Sequence, residues 1–151
     1  MQAPSARITP FLWFDHGKME EAVNFYVSTF KDARIKSMGP MTAEFELLGA
    51  PFMALQGGPN FKFNEAVSFF ISCKDQAEVD YYWGKLTADG GAESMCGWLK
   101  DKYGISWQVI PEALGRALSD PDEGRRNRAM QAMLKMRKII VADLEAAANA
   151  G

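Results

Sequence analysis

The sequence predicts an α+β chain made of two strand–helix–strands modules and a C-terminal helical tail. Three observations carry that reading. Short apolar or alternating runs flank two stretches with helical spacing, and the order strand, helix, strands occurs twice, each time in about 50 residues. After Pro111 the alternation stops and a pattern rich in Ala, Met and Arg begins. With 151 residues and 48% hydrophobic content the chain can bury one good core, so it reads as one domain. Residues 1–110 carry the modules, at about 7–57 and 65–110, and 111–151 extend the same domain. The expectation is that the paired modules curl mixed sheets around a shared cleft.

The first module opens with an apolar strand at 7–14, in which Pro10 suits an edge or a strand start. Asp15 stands at a turn or cap, and from Lys18 to Phe30 the residues Ala22, Val23, Phe25, Tyr26 and Phe30 recur at helical spacing. Strands follow at about 33–38, 42–48 and 51–57, with Gly49-Ala50 as a hairpin turn. The second module begins with a strand from Val67 to Cys73. Asp75 and Glu78 have capping-box spacing, and Val79, Tyr82, Trp83 and Leu86 form the inward stripe of a helix that ends at Asp89-Gly90-Gly91. Strands at about 92–99 and 105–110 complete it. In the tail, Pro111 opens a short helix through Leu118, and Ser119-Asp120-Pro121 breaks it. From Asp122 to Met136, Ala129, Met130, Met133, Leu134 and Met136 make an amphipathic helix, and a last Ala-rich helix runs from Val141 to Ala148. The Met stripe serves packing within or between subunits, or a face for a partner.

Composition excludes several classes. A net charge of −2 leaves no footprint for nucleic acid or an anionic membrane, and the cations from Arg125 to Lys138 sit on a helical pattern as a solvated face. Cys73 and Cys96 are too few for a secreted disulfide framework and read as free thiols of a cytoplasmic protein. No apolar run approaches the roughly 20 residues of a membrane span, and no signal-peptide pattern opens the chain.

The run from Cys96 to Gln108 is the most informative. Trp98-Leu99 leads into the polar Lys100-Asp101-Lys102 and the corner Tyr103-Gly104, and a strand follows. Alternation sends Ile105, Trp107 and Val109 to one face and Ser106, Gln108 and Ile110 to the other. Gln108 is therefore an amide among apolar neighbours, where an unpaired polar group costs about 1–3 kcal/mol. It is either satisfied structurally or lines a cavity.

This run resembles the last two strands of the PhnB-like branch of the glyoxalase/bleomycin-resistance superfamily, the vicinal oxygen chelate fold. Ile8–Asp15, Glu21–Tyr26, Ala54–Pro59 and Phe61–Phe69 resemble the same family. The likeness covers about three quarters of the chain and implies two βαβββ modules with a cleft, a homodimer, and a longer loop than Ser37–Met41 provides. Members of the family also bear the name 3-demethylubiquinone-9 3-methyltransferase.

Enzymes of the superfamily usually hold a divalent metal with one His, Glu or Gln from each of four strands. The matching positions here fall near Ile8 and Ala66, which cannot bind metal, and on the neutral amides Gln56 and Gln108. His16 sits in a loop, Glu65 is a strand-start carboxylate near the cleft, and Glu44 and Glu46 share one strand face directed at solvent. The expectation is no metal and no cofactor. Cys96 lacks a neighbouring histidine to activate it and reads as a buried structural thiol, and no Ser-His-Asp set can be assembled. Gly57-Gly58-Pro59 is a turn, not the Gly-rich loop and helix of an S-adenosylmethionine site.

What remains is an aromatic supply of four Trp, four Tyr and ten Phe around a few polar groups. Trp13, Gln56, Phe63, Glu65, Ser68, Trp98, Trp107 and Gln108, with Phe61 beside them, are the candidate ligand-binding residues. Two other possibilities stay open. One is an enzyme, either a metal-dependent lyase or dioxygenase or the methyltransferase of the family's name. The other is a dimeric scaffold whose aromatics fill the core.

Overall fold

The computed structural model describes residues 6–151, so residues 1–5 of the expected domain lie outside the described residues. The chain divides into two compact units, residues 1–62 and 63–151.

The first unit runs β1 (Phe11–Phe14), α1 (Met19–Thr29), β2 (Ala33–Met38), β3 (Thr42–Leu47) and β4 (Ala50–Gln56). Its sheet has the order β1-β4-β3-β2, with β1 parallel to β4 and the other pairs antiparallel. Helical spacing puts Met19, Ala22, Val23 and Tyr26 on one stripe of α1, all buried against the sheet. Phe14, Phe45 and Phe52 meet that stripe, with the Tyr26 and Phe45 rings stacked at 6.4 Å and Phe45 on Phe52 at 5.4 Å. Each such side chain contributes about 1.5–3 kcal/mol by leaving water. The first strand is shorter than the sequence suggests. Pro10 cannot donate, its carbonyl accepts from Met53 N, and Ile8 is 91% exposed. The hairpin turn falls one residue early, on Leu48 and Gly49 with φ of 49° and 80°.

The second unit runs β5 (Ser68–Cys73), α2 (Gln76–Thr87), β6 (Ala92–Glu93), β7 (Trp98–Lys100) and β8 (Ser106–Pro111). The helices α3 (Glu112–Leu118), α4 (Glu123–Met133) and α5 (Val141–Asn149) follow. Its sheet order, β5-β8-β7-β6, reproduces that of the first unit strand for strand, with the parallel pair again joining first and last. The duplicated module read from the sequence is present. Asp75 caps α2 by accepting from Glu78 N, while Glu78 Oε1 accepts from Lys74 N. Val79, Tyr82, Trp83 and Leu86 face the core, and the Trp83 indole donates to Glu93 Oε2 at 2.7 Å.

The expected strand at 92–99 is broken between Glu93 and Trp98. There Cys96 and Gly97 take φ of 59° and 85°, and their amides donate to Met136 O and Arg137 O in the tail instead of to a strand. A Cβ on Gly97 would come 2.6 Å from Ile110 Cδ1, so the corner needs glycine for space as well as for its positive φ. The tail docks on its own unit: Ile110, Leu114, Ile139 and Leu144 form a buried cluster with Met133 and Met136 against it. The Gln76 amide clips it by donating to Ile139 O and accepting from Val141 N. Of the Met stripe, Ala129 is buried and Met133 and Met136 pack within the chain, while Met130 and Leu134 are exposed on it.

Candidate functional site

Strand alternation gives each sheet a face covered by its helix and a second face turned away from it, here termed open although Glu44, Met53, Ser106 and Ile110 on it are buried. On the second sheet, Phe69, Ile71, Trp107, Val109 and Leu99 lie on the α2 side. The open face carries two adjacent rows set by register. Phe70, Gln108 and Trp98 form one, and Ser68, Ser106 and Lys100 the other. Gln108 Nε2 lies 2.8 Å from Ser68 Oγ, which holds one end of the amide while its other end has no hydrogen-bond partner among the described residues. Lys100 Nζ binds Glu65 Oε2 at 2.6 Å, and the lysine holds the Glu65 carboxyl below its usual range. Ser106 is 1% exposed, and its Oγ is sealed without a partner. Phe70 is 61% exposed, so the row ends on an open aromatic.

The structure thus assembles Glu65, Ser68, Trp98 and Gln108 on one face and adds Phe70, Lys100 and Ser106, of which the sequence reading set Ser106 on the Gln108 face but counted none among the ligand-binding residues. The signal for them was available: period-two alternation from Ser68 and Gln108 reaches Phe70 and Ser106 directly. Trp107 does not join them. It lies on the other face, buried, and its indole donates to Asp101 Oδ2 at 2.8 Å. Asp101 is no solvated turn residue, since it is 2% exposed and also accepts from Tyr103 N and Ile105 N. It fixes the corner between β7 and β8. Phe63 lies beside that corner, where a Cβ on Gly104 would come 3.9 Å from its own Cβ.

In the first unit, Trp13 is on the open face and Gln56 is not. Gln56 points to the helix side, where its Oε1 accepts from Met19 N at 3.1 Å. Lys18 gives α1 no side-chain cap, so a strand residue supplies the acceptor instead. Trp13 is held by its own neighbours: Nε1 donates to Gly58 O at 2.9 Å, and Phe61 meets the ring edge-on at 4.9 Å. A Cβ on Gly57 would sit 2.3 Å from the indole, so this glycine makes room for Trp13. Glu46 pairs with Arg34 as a surface carboxylate should, but Glu44, expected in solvent, is only 7% exposed.

The donor set does not fit a catalytic metal. Among the described residues no three His, Cys, Asp or Glu side chains lie together, Gln56 is committed to α1, and Glu65 to Lys100. Nor do the glycine pairs fit an adenosyl cofactor. Indole fills the space over Gly57, Gly58 O is already taken, and a Cβ on Gly91 would strike the end of α2 at 2.7 Å. Cys96 is half-buried, not sealed. A cavity of about 180 Å³ in the tail is lined by two cations that are already paired, Arg125 with Asp120 and Asn149 and Arg116 with Glu112. Among the described residues no helix is long and apolar enough to cross a membrane.

The sequence model of the family described as 3-demethylubiquinone-9 3-methyltransferase matches residues 6–110. The chain belongs to that family. A solved PhnB protein from Bacillus cereus, which carries the same methyltransferase description, is similar at 36% identity. That match covers 70% of this chain and 99% of the other, with a TM-score of 0.63. Lower identities extend the fold to the glyoxalase/bleomycin-resistance group. A glyoxalase-related enzyme from Fulvimarina pelagi is 14% identical over 70% of this chain and 88% of its own, with a TM-score of 0.51. The fosfomycin resistance protein FosX from Listeria monocytogenes, solved with Mn(II) and sulfate, is 11% identical over 70% and 88%, also at 0.51. No curated protein matches this chain. Family membership and fold agree with the resemblance read from the sequence.

Proposed function

We propose that this family member is a metal-free, cytoplasmic small-molecule-binding protein that works as a homodimer. The observation that supports it best is the Gln108 row. An amide held at one end by Ser68 and open at the other sits between Phe70 and Trp98, so it can orient one polar group of a ligand whose apolar body lies on the aromatics. The Lys100–Glu65 pair borders that position with both charges already balanced, which suits a neutral or weakly polar ligand. Exposed Met130 on α4 and Leu134 at its C-cap are the apolar surface that a second copy would cover.

Methyl transfer, the reaction in the family's name, is the second reading. The described glycine turns offer no cradle for its cofactor, so no step is derived through it.

Native mass spectrometry of the protein as purified, without chelator, tests the first reading alongside Gln108→Leu. A dimer carrying a small organic adduct that Gln108→Leu loses while keeping its fold would support it. A stoichiometric divalent ion, saturable S-adenosylmethionine binding, or a Gln108→Leu variant that unfolds would overturn it.

A further inference from the structure

We infer that the open face of the first sheet is a recognition site for an organic cation, with Glu44 as its counter-charge. This goes beyond the site proposed on the second sheet and rests on different residues. Glu44 lies mid-strand in β3, opposite Ser37 on one side and Met53 on the other, and Phe11 continues the row beyond Met53. The next row is Trp13, Leu55 and Thr42. The carboxylate is therefore set in an apolar and aromatic surface. It is 93% removed from solvent, yet among the described residues it makes no hydrogen bond and no ion pair.

Buried glutamates are seldom found without a paired cation. The neighbour of Glu44 two residues on, Glu46, shows the contrast. Glu46 has Arg34 at 3.0 Å and Lys36 at 3.7 Å, so both cations of β2 are spent on the more exposed of the two carboxylates. Ser106 Oγ is the one buried side-chain atom sealed without a partner among the described residues, so the unpartnered oxygens of Glu44 keep a contact with solvent. The charge can be reached from outside. No group of three metal-ligating side chains surrounds it among the described residues, which leaves an organic cation as the fitting partner. Phe11, 47% exposed, and the half-buried Trp13 would receive the body of such a ligand, with Met53 buried beneath the row. Its class is an ammonium or guanidinium carried on an aromatic or aliphatic frame.

The test is a titration of the full chain, followed by backbone-amide NMR, with phenethylamine and with its neutral analogue 2-phenylethanol. The wild type should bind the amine about tenfold more tightly, with shifts centred on Phe11, Glu44, Met53 and Leu55. Glu44→Gln should abolish the preference, leave the affinity for the alcohol unchanged, and melt no lower than the wild type. Glu46→Gln should keep the preference. Equal binding of amine and alcohol to the wild type would overturn the proposal, as would a preference that survives Glu44→Gln or shifts centred elsewhere. A Glu44→Gln variant that melts lower or fails to fold would do the same, since it would mark the carboxylate as structurally bonded.

Discussion

Replacing Asp101 by alanine tests how the candidate face on the second sheet is held in place. The carboxylate is 2% exposed and accepts from Tyr103 N at 2.9 Å, Ile105 N at 3.1 Å and Trp107 Nε1 at 2.8 Å. In the variant the Tyr103 amide, near the surface, turns to water. The Ile105 amide and the Trp107 indole belong to buried residues and lose this acceptor, at about 1–3 kcal/mol each. Relief from holding a buried carboxylate offsets part of this, so a net loss of about 3 kcal/mol is expected, against the roughly 5–15 kcal/mol that holds a typical domain. With a urea slope of about 2 kcal/mol/M, the unfolding midpoint should fall by about 1.5 M. Asp101→Asn keeps one acceptor but sets an NH2 against one of the donors, so it should fall between the two. Trp107→Phe with Asp101→Ala closes a double-mutant cycle, and a coupling of about 1 kcal/mol or more is expected. A midpoint shift below about 0.3 M for Asp101→Ala, or strict additivity in the cycle, would refute the assignment.

Other outcomes rest on single contacts. Gln56→Ala removes the acceptor at Met19 N and should cost about 0.5–2 kcal/mol, as loss of a helix cap does, read as a fall in the urea midpoint. Burial, aided by Glu78 and Asp75, pushes the Cys73 thiol up to about 12, so iodoacetamide at pH 8 should leave Cys73 unmodified until the protein is unfolded. Lys138 first, then Gln76, holds the Asp80 carboxyl below its usual range, and the Asp122 amide and Arg125 do the same for Asp120. With folded values below unfolded ones, their contribution is full above about pH 4 and lost as pH falls through the folded values, so the tail should loosen in acid. Lys138→Ala should flatten that acid limb, measured as the pH dependence of the urea midpoint.

Local chemistry made much of this fold legible. Asp75 and Glu78 cap α2 where their spacing places them, and the repeated order of elements gave both sheets. What failed was non-local. Nothing near Lys18 announces that Gln56, on another strand, will cap α1, so by sequence the amide groups with the ligand-binding residues. The break at Cys96-Gly97 is made by carbonyls far along the chain, at Met136 and Arg137, which no window of alternation can see. For Glu44, alternation supplied the face but not its burial. For Trp107 the alternation was sufficient, because it already set the indole opposite Gln108. Grouping the tryptophans by aromatic character overrode it.

The seating of the tail bears on what the second sheet can accept. The family match stops at residue 110, and the segment beyond it turns back to bury Ile110, the residue that succeeds Gln108 on the open side of β8. The tail therefore closes one side of the proposed binding row. A molecule resting on Gln108 and extending along β8 would meet a wall at Ile110 and Ile139, whereas the tail sets no such limit in the other direction. Chain length on that side, and not polarity alone, would then sort one guest from another. Trimming Ile139 would lengthen the row without touching a polar contact.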